Sequence, residues 1–335
     1  MCIRDRYTRL SLRPNSNPDV PKTFGFEEYR VVGTYREPKA ARGLADLIAT
    51  VAAEQGRRTS FNFSRKGINL EVVRRVSPLI RSSTRYSLGT TRIFDEQLAP
   101  ADRLKIDRFF PQVRLSAFSE ALARDTRDDL LEPQRGTLMS ADGTFAARVY
   151  GSQVGYTKTF LQGFYYHRLG RPRLVFAGGA RLGLARPFTR ETQQIGADGT
   201  IETVLITDLP ASERFFAGGD TTIRGYALDS VGERETISPQ GFPIGGNALV
   251  ILNAELRTPV WRDVGAAFFI DGGNVFAHAS DFNLGDLRGG VGFGLRYRSP
   301  IGPIRLDLGF KLDRRVVAGR LEPRTAIHFS IGQAF

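Results

Sequence analysis

Strict two-residue alternation of apolar and polar side chains is the feature that most constrains the fold of this chain. It is clearest in residues 302–313, whose apolar face consists of Ile304, Leu306, Leu308, Phe310 and Leu312. The intervening positions are charged or glycine. Residues 291–298 and 324–335 alternate in the same way. This period of two predicts β-strands with one apolar and one polar face, and therefore an all-β fold.

Two architectures have this pattern: a soluble sheet with one wet face, and a transmembrane barrel with lipid outside and polar groups inside. Three features favour the barrel. The polar face is rich in charge and glycine, and the strands run for about 10–13 residues instead of the usual 5–6. Aromatic residues gather near strand ends, as an interfacial girdle requires; they are Trp261, Phe276, Tyr297 and Phe335.

The alternating segments predict about fourteen antiparallel strands. Besides the three segments above, they cover 6–13, 26–36, 44–55, 61–75, 79–95, 110–123, 135–149, 152–167, 171–186, 246–260 and 264–276. Residues 45–57 are also compatible with a short helix, but their neighbours favour a strand. Residues 26–335 are predicted to form one barrel domain, interrupted by a long irregular loop over 187–245. Residues 1–25 are left unassigned, and we expect the front of the chain to be truncated and in part extraneous.

Composition argues against an enzyme and against nucleic-acid binding. The chain carries 47 basic and 35 acidic residues, a net charge of +12, but the basic residues are spread along the strands and no recognition helix accompanies them. It has one cysteine, three histidines far apart in sequence, and no Gly-x-Ser-x-Gly pattern. The glycine-rich stretch at 176–183 lacks the Lys-Ser/Thr ending of a phosphate-binding loop. We therefore predict no catalytic site, no metal and no cofactor.

No apolar run approaches the roughly 18–20 residues that a transmembrane helix needs. A barrel strand needs only about 9–11 residues and alternates sides, so the membrane remains compatible with this sequence.

The stretch FAGGDTTIRGY at 216–226 resembles the Arg-Gly-aromatic loop of the outer-membrane assembly barrels, the BamA/TamA or bacterial surface antigen superfamily. Further segments are similar to that family in the same order; they are 126–143, 243–261, 268–276, 297–312 and 328–335. The resemblance extends over nearly the whole chain from about residue 26, and the last two segments lean towards the TamA branch. It implies a sixteen-strand barrel with five strands after the long loop, and periplasmic POTRA domains, of which these 335 residues show none.

The resemblance also implies that the long loop folds into the barrel lumen with Arg224 near its tip. The alternation independently turns Glu255 and Asp271 inward, so we expect Arg224 to pair with these two acids. The remaining loop-motif residues predicted to shape or pack the tip are Gly218, Gly219, Asp220, Gly225 and Tyr226. The alternative is a flexible surface turn, in which an arginine contributes about 0–1 kcal/mol.

At the end of the chain, Gly332 interrupts a well-formed strand and Phe335 is the last residue. The family resemblance implies that Gly332 lets the last strand part from the first, opening a lateral gate, and that Phe335 serves as a recognition aromatic. A small residue in a crowded lumen and an ordinary girdle aromatic remain the alternatives.

The expected function is therefore an outer-membrane assembly factor that folds and inserts β-barrel or autotransporter-type proteins without an energy cofactor. Its expected partners are unfolded outer-membrane clients and the lipid bilayer, with lipopolysaccharide and an inner-membrane, periplasm-spanning protein as further candidates. The alternative is a conduit, either a two-partner-type secretion channel or a porin.

Overall fold

One antiparallel sheet of fourteen strands organises the chain. The computed structural model describes residues 5–14, 26–58, 60–94, 112–170, 174–195, 201–206, 209–299, 302–317 and 319–331. Within these residues the secondary structure is β, apart from the four-residue helix α1 (Ala40–Gly43) and four short 3-10 turns. No helix of the described residues is long and apolar enough to span a membrane. The predicted all-β class and the fourteen strands are confirmed.

The first nine strands of the sheet precede the long loop. They are β1 (Asp5–Pro14), β2 (Phe26–Lys39), β3 (Ala45–Arg57), β4 (Asn62–Arg75), β5 (Ile80–Phe94), β6 (Gln112–Asp125), β7 (Gly136–Ala146), β8 (Tyr156–Leu169) and β9 (Leu174–Pro187). The loop contains the separate hairpin β10 (Arg190–Ile195) and β11 (Ile201–Ile206).

Five sheet strands follow the loop, as the family resemblance implies. They are β12 (Ala248–Trp261), β13 (Val264–Phe276), β14 (Arg288–Ser299), β15 (Gly302–Lys311) and β18 (Thr325–Ile331). A small hairpin of β16 (Val316–Val317) and β17 (Arg320–Leu321) lies between the last two. Every strand pairs with its sequence neighbour in the sheet, so that β9 pairs with β12 and β15 with β18.

The two faces of the sheet differ in chemistry, as the alternation predicts. On the outer face, large apolar side chains are exposed: Leu252 is 44% exposed, Phe268 60% and Ile327 72%. The neighbouring inward residues Asn253 and Glu255 are buried. Continuous apolar exposure of this kind marks a surface that meets lipid or protein instead of water.

The long loop is more ordered than the sequence predicts. The prediction is an irregular segment throughout 187–245, but β9 continues to Pro187 and the β10–β11 hairpin follows it. Threonine, valine and isoleucine flank an Ala-Asp-Gly stretch at 197–199, and this combination favours a hairpin. The irregular part therefore lies between residues 209 and 247.

This irregular segment packs against the inner face of the sheet and forms the largest apolar core. Its side chains Phe215, Ile223, Tyr226 and Val231 cluster with inward residues of the strands, such as Ile251. A smaller cluster joins Ala211 and Ile244 of the loop to Phe61 and Ile93. The core is thus built between loop and sheet, and the loop tip is held where its charged residues meet the strands.

Candidate functional site: the Arg224 cluster

The tip of the long loop is a tight turn that only glycine allows. Gly218, Gly219 and Gly225 have φ angles of 116°, 102° and 98°, in the left-handed region. A Cβ on Gly218 would lie 2.3 Å from the carbonyl oxygen of Ala227. The turn is closed by a hydrogen bond from the Gly219 amide to the Tyr226 carbonyl, at 3.2 Å. These contacts aim the intervening Arg224 at the strands.

Arg224 makes its hydrogen bonds with two carboxylates of the inner face. Its Nε donates to Asp271 Oδ2 at 2.7 Å, and its Nη2 donates to Asp271 Oδ1 at 2.8 Å. The Arg224 amide also donates to Asp271, at 3.0 Å, and Nη1 donates to Glu255. The Arg224 side chain is 1% exposed and both carboxylates are 0% exposed. The guanidinium lies 3.6 Å from the ring centroid of Phe269. We call Arg224, Glu255 and Asp271 the Arg224 cluster.

The strand register explains why the two acids lie together. Asn253 pairs with Asp271 across the β12–β13 ladder, and Glu255 follows Asn253 on the same face. The Asn253 amide nitrogen donates to Asp271 Oδ1 at 2.8 Å and to the Thr222 carbonyl at 2.7 Å. The asparagine therefore orients one acid and holds the loop backbone at the same time.

Further arginines extend the cluster along the inner face. Arg257 Nε donates to Glu255 at 2.7 Å, and Arg296 donates to Glu255 at 3.1 Å and to Asp307 at 2.5 Å. Arg305 lies 3.4 Å from Asp220 of the loop. The network balances four arginines (224, 257, 296 and 305) against four acids (220, 255, 271 and 307). Removing one partner of such a buried pair leaves the other as an uncompensated buried charge.

Two glycines of the sheet make room for the loop tip. A Cβ on Gly309 would lie 2.3 Å from the Gly225 nitrogen, and a Cβ on Gly290 would lie 2.2 Å from the Arg224 carbonyl oxygen. The Gly225 amide donates to His328 Nε2 of β18 at 3.2 Å. Sequence reasoning missed all three residues, although glycines on the inner face of β14 and β15 were a signal for a close backbone approach.

Tyr226 fixes the other side of the tip. Its hydroxyl donates to Asp313 Oδ1 at 2.6 Å, and the Gly289 carbonyl oxygen lies 3.0 Å from the same hydroxyl oxygen. Arg288 and Lys311 lie over its ring, at 4.6 Å and 4.8 Å from the centroid. Tyr226 therefore joins the loop to the hairpin region that leads into β18.

The structure brings the loop motif and the two inward acids together. Asp220 lies at the edge of this group, with its side chain 29% exposed. Gly332 and Phe335 lie outside the described residues. Glu235, His278 and Asp281, a separate exposed group, place potential ligand atoms within 4.8 Å of one another. The hydrogen bond between the His278 ring and Asp281, at 3.1 Å, accounts for part of that grouping as an ordinary turn contact.

Comparison with known proteins identifies the family. Residues 24–335 match the Omp85 superfamily domain. The outer membrane protein assembly factor BamA of Nitratidesulfovibrio vulgaris is 32% identical over 219 residues, which are 63% of this chain and 24% of that protein. The crystal structure of BamA from Haemophilus ducreyi lacking POTRA domains 1–3 superposes with a TM-score of 0.70 at 20% identity, covering 91% of this chain and 62% of that one.

The chain belongs to the Omp85 superfamily, and it is a bacterial outer-membrane β-barrel. It spans about a quarter of the length of the curated BamA that it matches. The inner face described above is therefore the barrel lumen, and the outer apolar face meets lipid.

Proposed function

We propose that this barrel belongs to an assembly factor that helps unfolded outer-membrane proteins fold and insert, without an energy cofactor or catalytic residues. The 32% identity to a BamA supports this proposal. The preference for a TamA-like branch stays a prediction, since the Nitratidesulfovibrio relative is a BamA.

The structural observation that carries the proposal is the edge of the sheet at β18. Among the described residues, β1 and β18 are the two ends of the fourteen-stranded sheet, and no ladder pairs them. The outer face of β18 is strongly apolar: Ile327, Phe329 and Ile331 are 72%, 66% and 56% exposed. An edge strand offers unpaired amides and carbonyls, on which another chain can add a strand.

The Arg224 cluster supports the same mechanism from the other side. Its contacts tie the loop to β12, β13, β14 and β15, and the Gly225–His328 hydrogen bond extends them to β18. We propose that the loop keeps this wall rigid while β18 parts from β1, so that opening is confined to one seam. Clients would then enter the bilayer laterally, and lipids around the seam would be the second partner.

Site-specific cross-linking tests whether clients pair at this edge. In the membrane-embedded protein with Cys2→Ser, a single cysteine is placed at Ile327 on β18. A second variant carries the cysteine at Leu252 on β12. This position also faces lipid, but β12 is paired with a neighbouring strand on both sides. An unfolded barrel client with one cysteine in its last strand is then added, and disulfide-linked products are resolved by gel electrophoresis.

Capture at Ile327→Cys with little capture at Leu252→Cys is the expected result. Equal capture at both positions, or client folding without capture at β18, would contradict insertion at the seam. Capture at Thr50→Cys, an inward position on β3, would instead favour the conduit alternative, since a conduit passes its client through the lumen.

A further inference from the structure

A large cavity lies where the long loop meets the connection between β15 and β18. Its volume is about 970 Å³. One side is formed by residues between Gly225 and Gly241 of the loop, and the other by residues from Arg315 to Ala326, which include the β16–β17 hairpin. Arg315 Nη1 joins the two sides by donating to the Gly232 carbonyl at 3.3 Å. Small-molecule sites commonly measure about 300–1,000 Å³, so the cavity has room for a ligand of that size.

Basic side chains outnumber acidic ones in the lining of this cavity. The five basic residues are Arg234, Arg288, Lys311, Arg315 and Arg320, and the two acids are Glu233 and Glu322. Glu322 is bonded to Arg288, and Lys311 Nζ lies 3.5 Å from its carboxylate. Arg288 Nε also donates to Asp313 at 3.1 Å. Arg288 and Lys311 are therefore already compensated by protein carboxylates.

The other three arginines have no carboxylate of their own. Arg234 and Arg320 are exposed, and within the described residues they form no hydrogen bond or ion pair. Arg315 Nε lies 3.7 Å from Asp313, but Arg288 contacts the same carboxylate more closely. Positive charges that face one cavity repel each other, and an anion bound between them removes this repulsion.

The cavity also has an apolar part and an open side. Val316 and Leu321 of the hairpin, 69% and 52% exposed, line it together with Ile237 of the loop. It reaches Thr325 and Ala326, the first two residues of β18, and β18 pairs only with β15 among the described strands. A lipid at this end of the barrel can therefore reach the arginines along the edge strand. Positive charge beside apolar surface fits an anionic amphiphile better than an inorganic ion.

We propose that this cavity binds the phosphate headgroup of a membrane lipid, with Arg234, Arg315 and Arg320 as its ligands. A guanidinium presents its donors as a rigid planar fork that fits the oxygens of phosphate, and such charge-assisted bonds are stronger than neutral ones. Free phosphate shares this chemistry but makes no use of the apolar lining. The site rests on the proposed function only for the lipid beside β18. Its test needs no client, so its failure leaves the cross-linking experiment at β18 unaffected.

Thermal unfolding of the full chain in a maltoside detergent, which contains no phosphate, tests this site. Dihexanoyl phosphatidate is the probe. Dihexanoyl phosphatidylcholine is the reference, because it has the same short chains but carries a cation next to its phosphate. Phosphatidate should raise the midpoint by about 2–4 °C above the reference, since a ligand that binds only the folded state stabilises it. Equal midpoints with the two lipids would overturn the proposal.

Inorganic phosphate separates the two sources of the anion. At the same concentration and ionic strength it should raise the midpoint less than phosphatidate does, because it leaves the apolar part of the cavity empty. An equal or larger rise with inorganic phosphate would overturn the assignment to a lipid and leave free phosphate as the ligand.

The double variant Arg234→Gln, Arg320→Gln removes two of the proposed ligands. It should abolish the phosphatidate-dependent rise, and each single substitution should reduce it. Because both side chains are exposed and have no partner among the described residues, their loss should not prevent folding. A rise of wild-type size in the double variant would contradict the proposal.

Arg186→Gln is the matched control. Arg186 is also exposed and lies near the end of β9, at the end of the barrel that carries the long loop, but it does not line the cavity. Its removal should leave the phosphatidate-dependent rise intact. A rise that is lost equally in Arg186→Gln would reveal a general attraction of anionic lipid to this end of the barrel, and would overturn the site.

Discussion

The two walls of the barrel share the alternation of apolar and polar residues, but they differ in how many of their inward side chains are buried. In the N-terminal wall, strands β2–β5, the described side chains that are buried are Ala45, Thr91 and Ile93. In the C-terminal wall, strands β12–β15, most inward positions are buried, including the charged residues Glu255, Asp271 and Asp307. The strands of both walls are similar in length and pairing.

The long loop makes this difference. Its tip covers the inner face of β12–β15 with Arg224 and Tyr226, and so excludes water from that wall. Inward charges of the N-terminal wall remain accessible: the Arg85–Glu71 pair, at 3.0 Å, has side chains 45% and 20% exposed. Removal of one partner from a lumen-facing ion pair is therefore costly or nearly neutral according to whether the loop covers the pair.

The largest expected effect comes from reversing the charge at the loop tip. Arg224→Glu would place three carboxylates together in a buried site, and we expect it to cost about 3–5 kcal/mol in barrel stability. The heat-modifiability midpoint on gels measures this loss. Adding Asp271→Arg should restore part of it, because the pair then has opposite charges again.

Arg85→Glu is the control for this prediction in the N-terminal wall. It reverses an inward arginine of a solvent-accessible pair, so the expected cost is at most about 1 kcal/mol. Similar losses for Arg224→Glu and Arg85→Glu would show that coverage by the loop does not distinguish the two walls.

The next largest effect concerns the contact between loop and sheet backbone. In Gly309→Ala, the new Cβ would lie 2.3 Å from the Gly225 nitrogen, and neither backbone can move without disturbing its hydrogen bonds. We expect a loss of about 1–3 kcal/mol and greater protease sensitivity of the long loop. Gly33→Ala in β2, where a Cβ meets nothing within 4 Å, should change stability by less than about 0.5 kcal/mol. Unchanged protease sensitivity of the long loop in Gly309→Ala would refute the close contact between loop and sheet backbone.

A smaller effect is expected at the tyrosine of the tip. Tyr226→Phe keeps the ring but removes the hydroxyl bonded to Asp313 and Gly289, at an expected cost of about 1–3 kcal/mol. Tyr35→Phe on the outer face of β2 removes a half-exposed hydroxyl bonded to Glu37 at 2.6 Å, and should cost less. Denaturant unfolding of the two variants measures both losses in the free energy of unfolding. A smaller loss for Tyr226→Phe than for Tyr35→Phe would show that the tip is loosely held.

The smallest effect is a pH dependence at the contact between the loop and the N-terminal side. Burial raises the pKa of Asp229 above its ordinary value near 3.8, although Arg58, at 2.9 Å, opposes the shift. A carboxyl with a raised pKa binds its proton more tightly in the folded state, so stability falls as pH rises through that pKa. Asp229→Asn lacks this titration and tolerates the φ of 59° at this position.

The stability of the wild type should therefore decline relative to Asp229→Asn as the pH rises above about 4. Measuring both proteins at each pH cancels the titration of all other groups. A constant difference between them would mean that Asp229 is not titrating from a buried position.

The residues of the long loop show how much of the site could be predicted from the sequence. Alternation alone turned Glu255 and Asp271 inward, and the loop motif pointed to Arg224 as their partner. The contacts of Gly290, Gly309 and His328 with the tip could not be derived, because they depend on how deeply the loop enters. The β10–β11 hairpin was missed for a local reason, since its strands of six residues are shorter than those of the barrel.

The sequence by itself determined the all-β class, the fourteen strands and the side of each residue, because a strand has a fixed period of two. Only the tertiary structure decided which inward charges are buried and which of them find partners. Burial depends on a loop that returns to the strands across large sequence distances, and neither strand period nor composition records that contact. Arg296 and Arg305 illustrate the point: both face inward, but Arg296 contacts two buried carboxylates, Glu255 and Asp307, whereas Arg305 contacts the partly exposed Asp220.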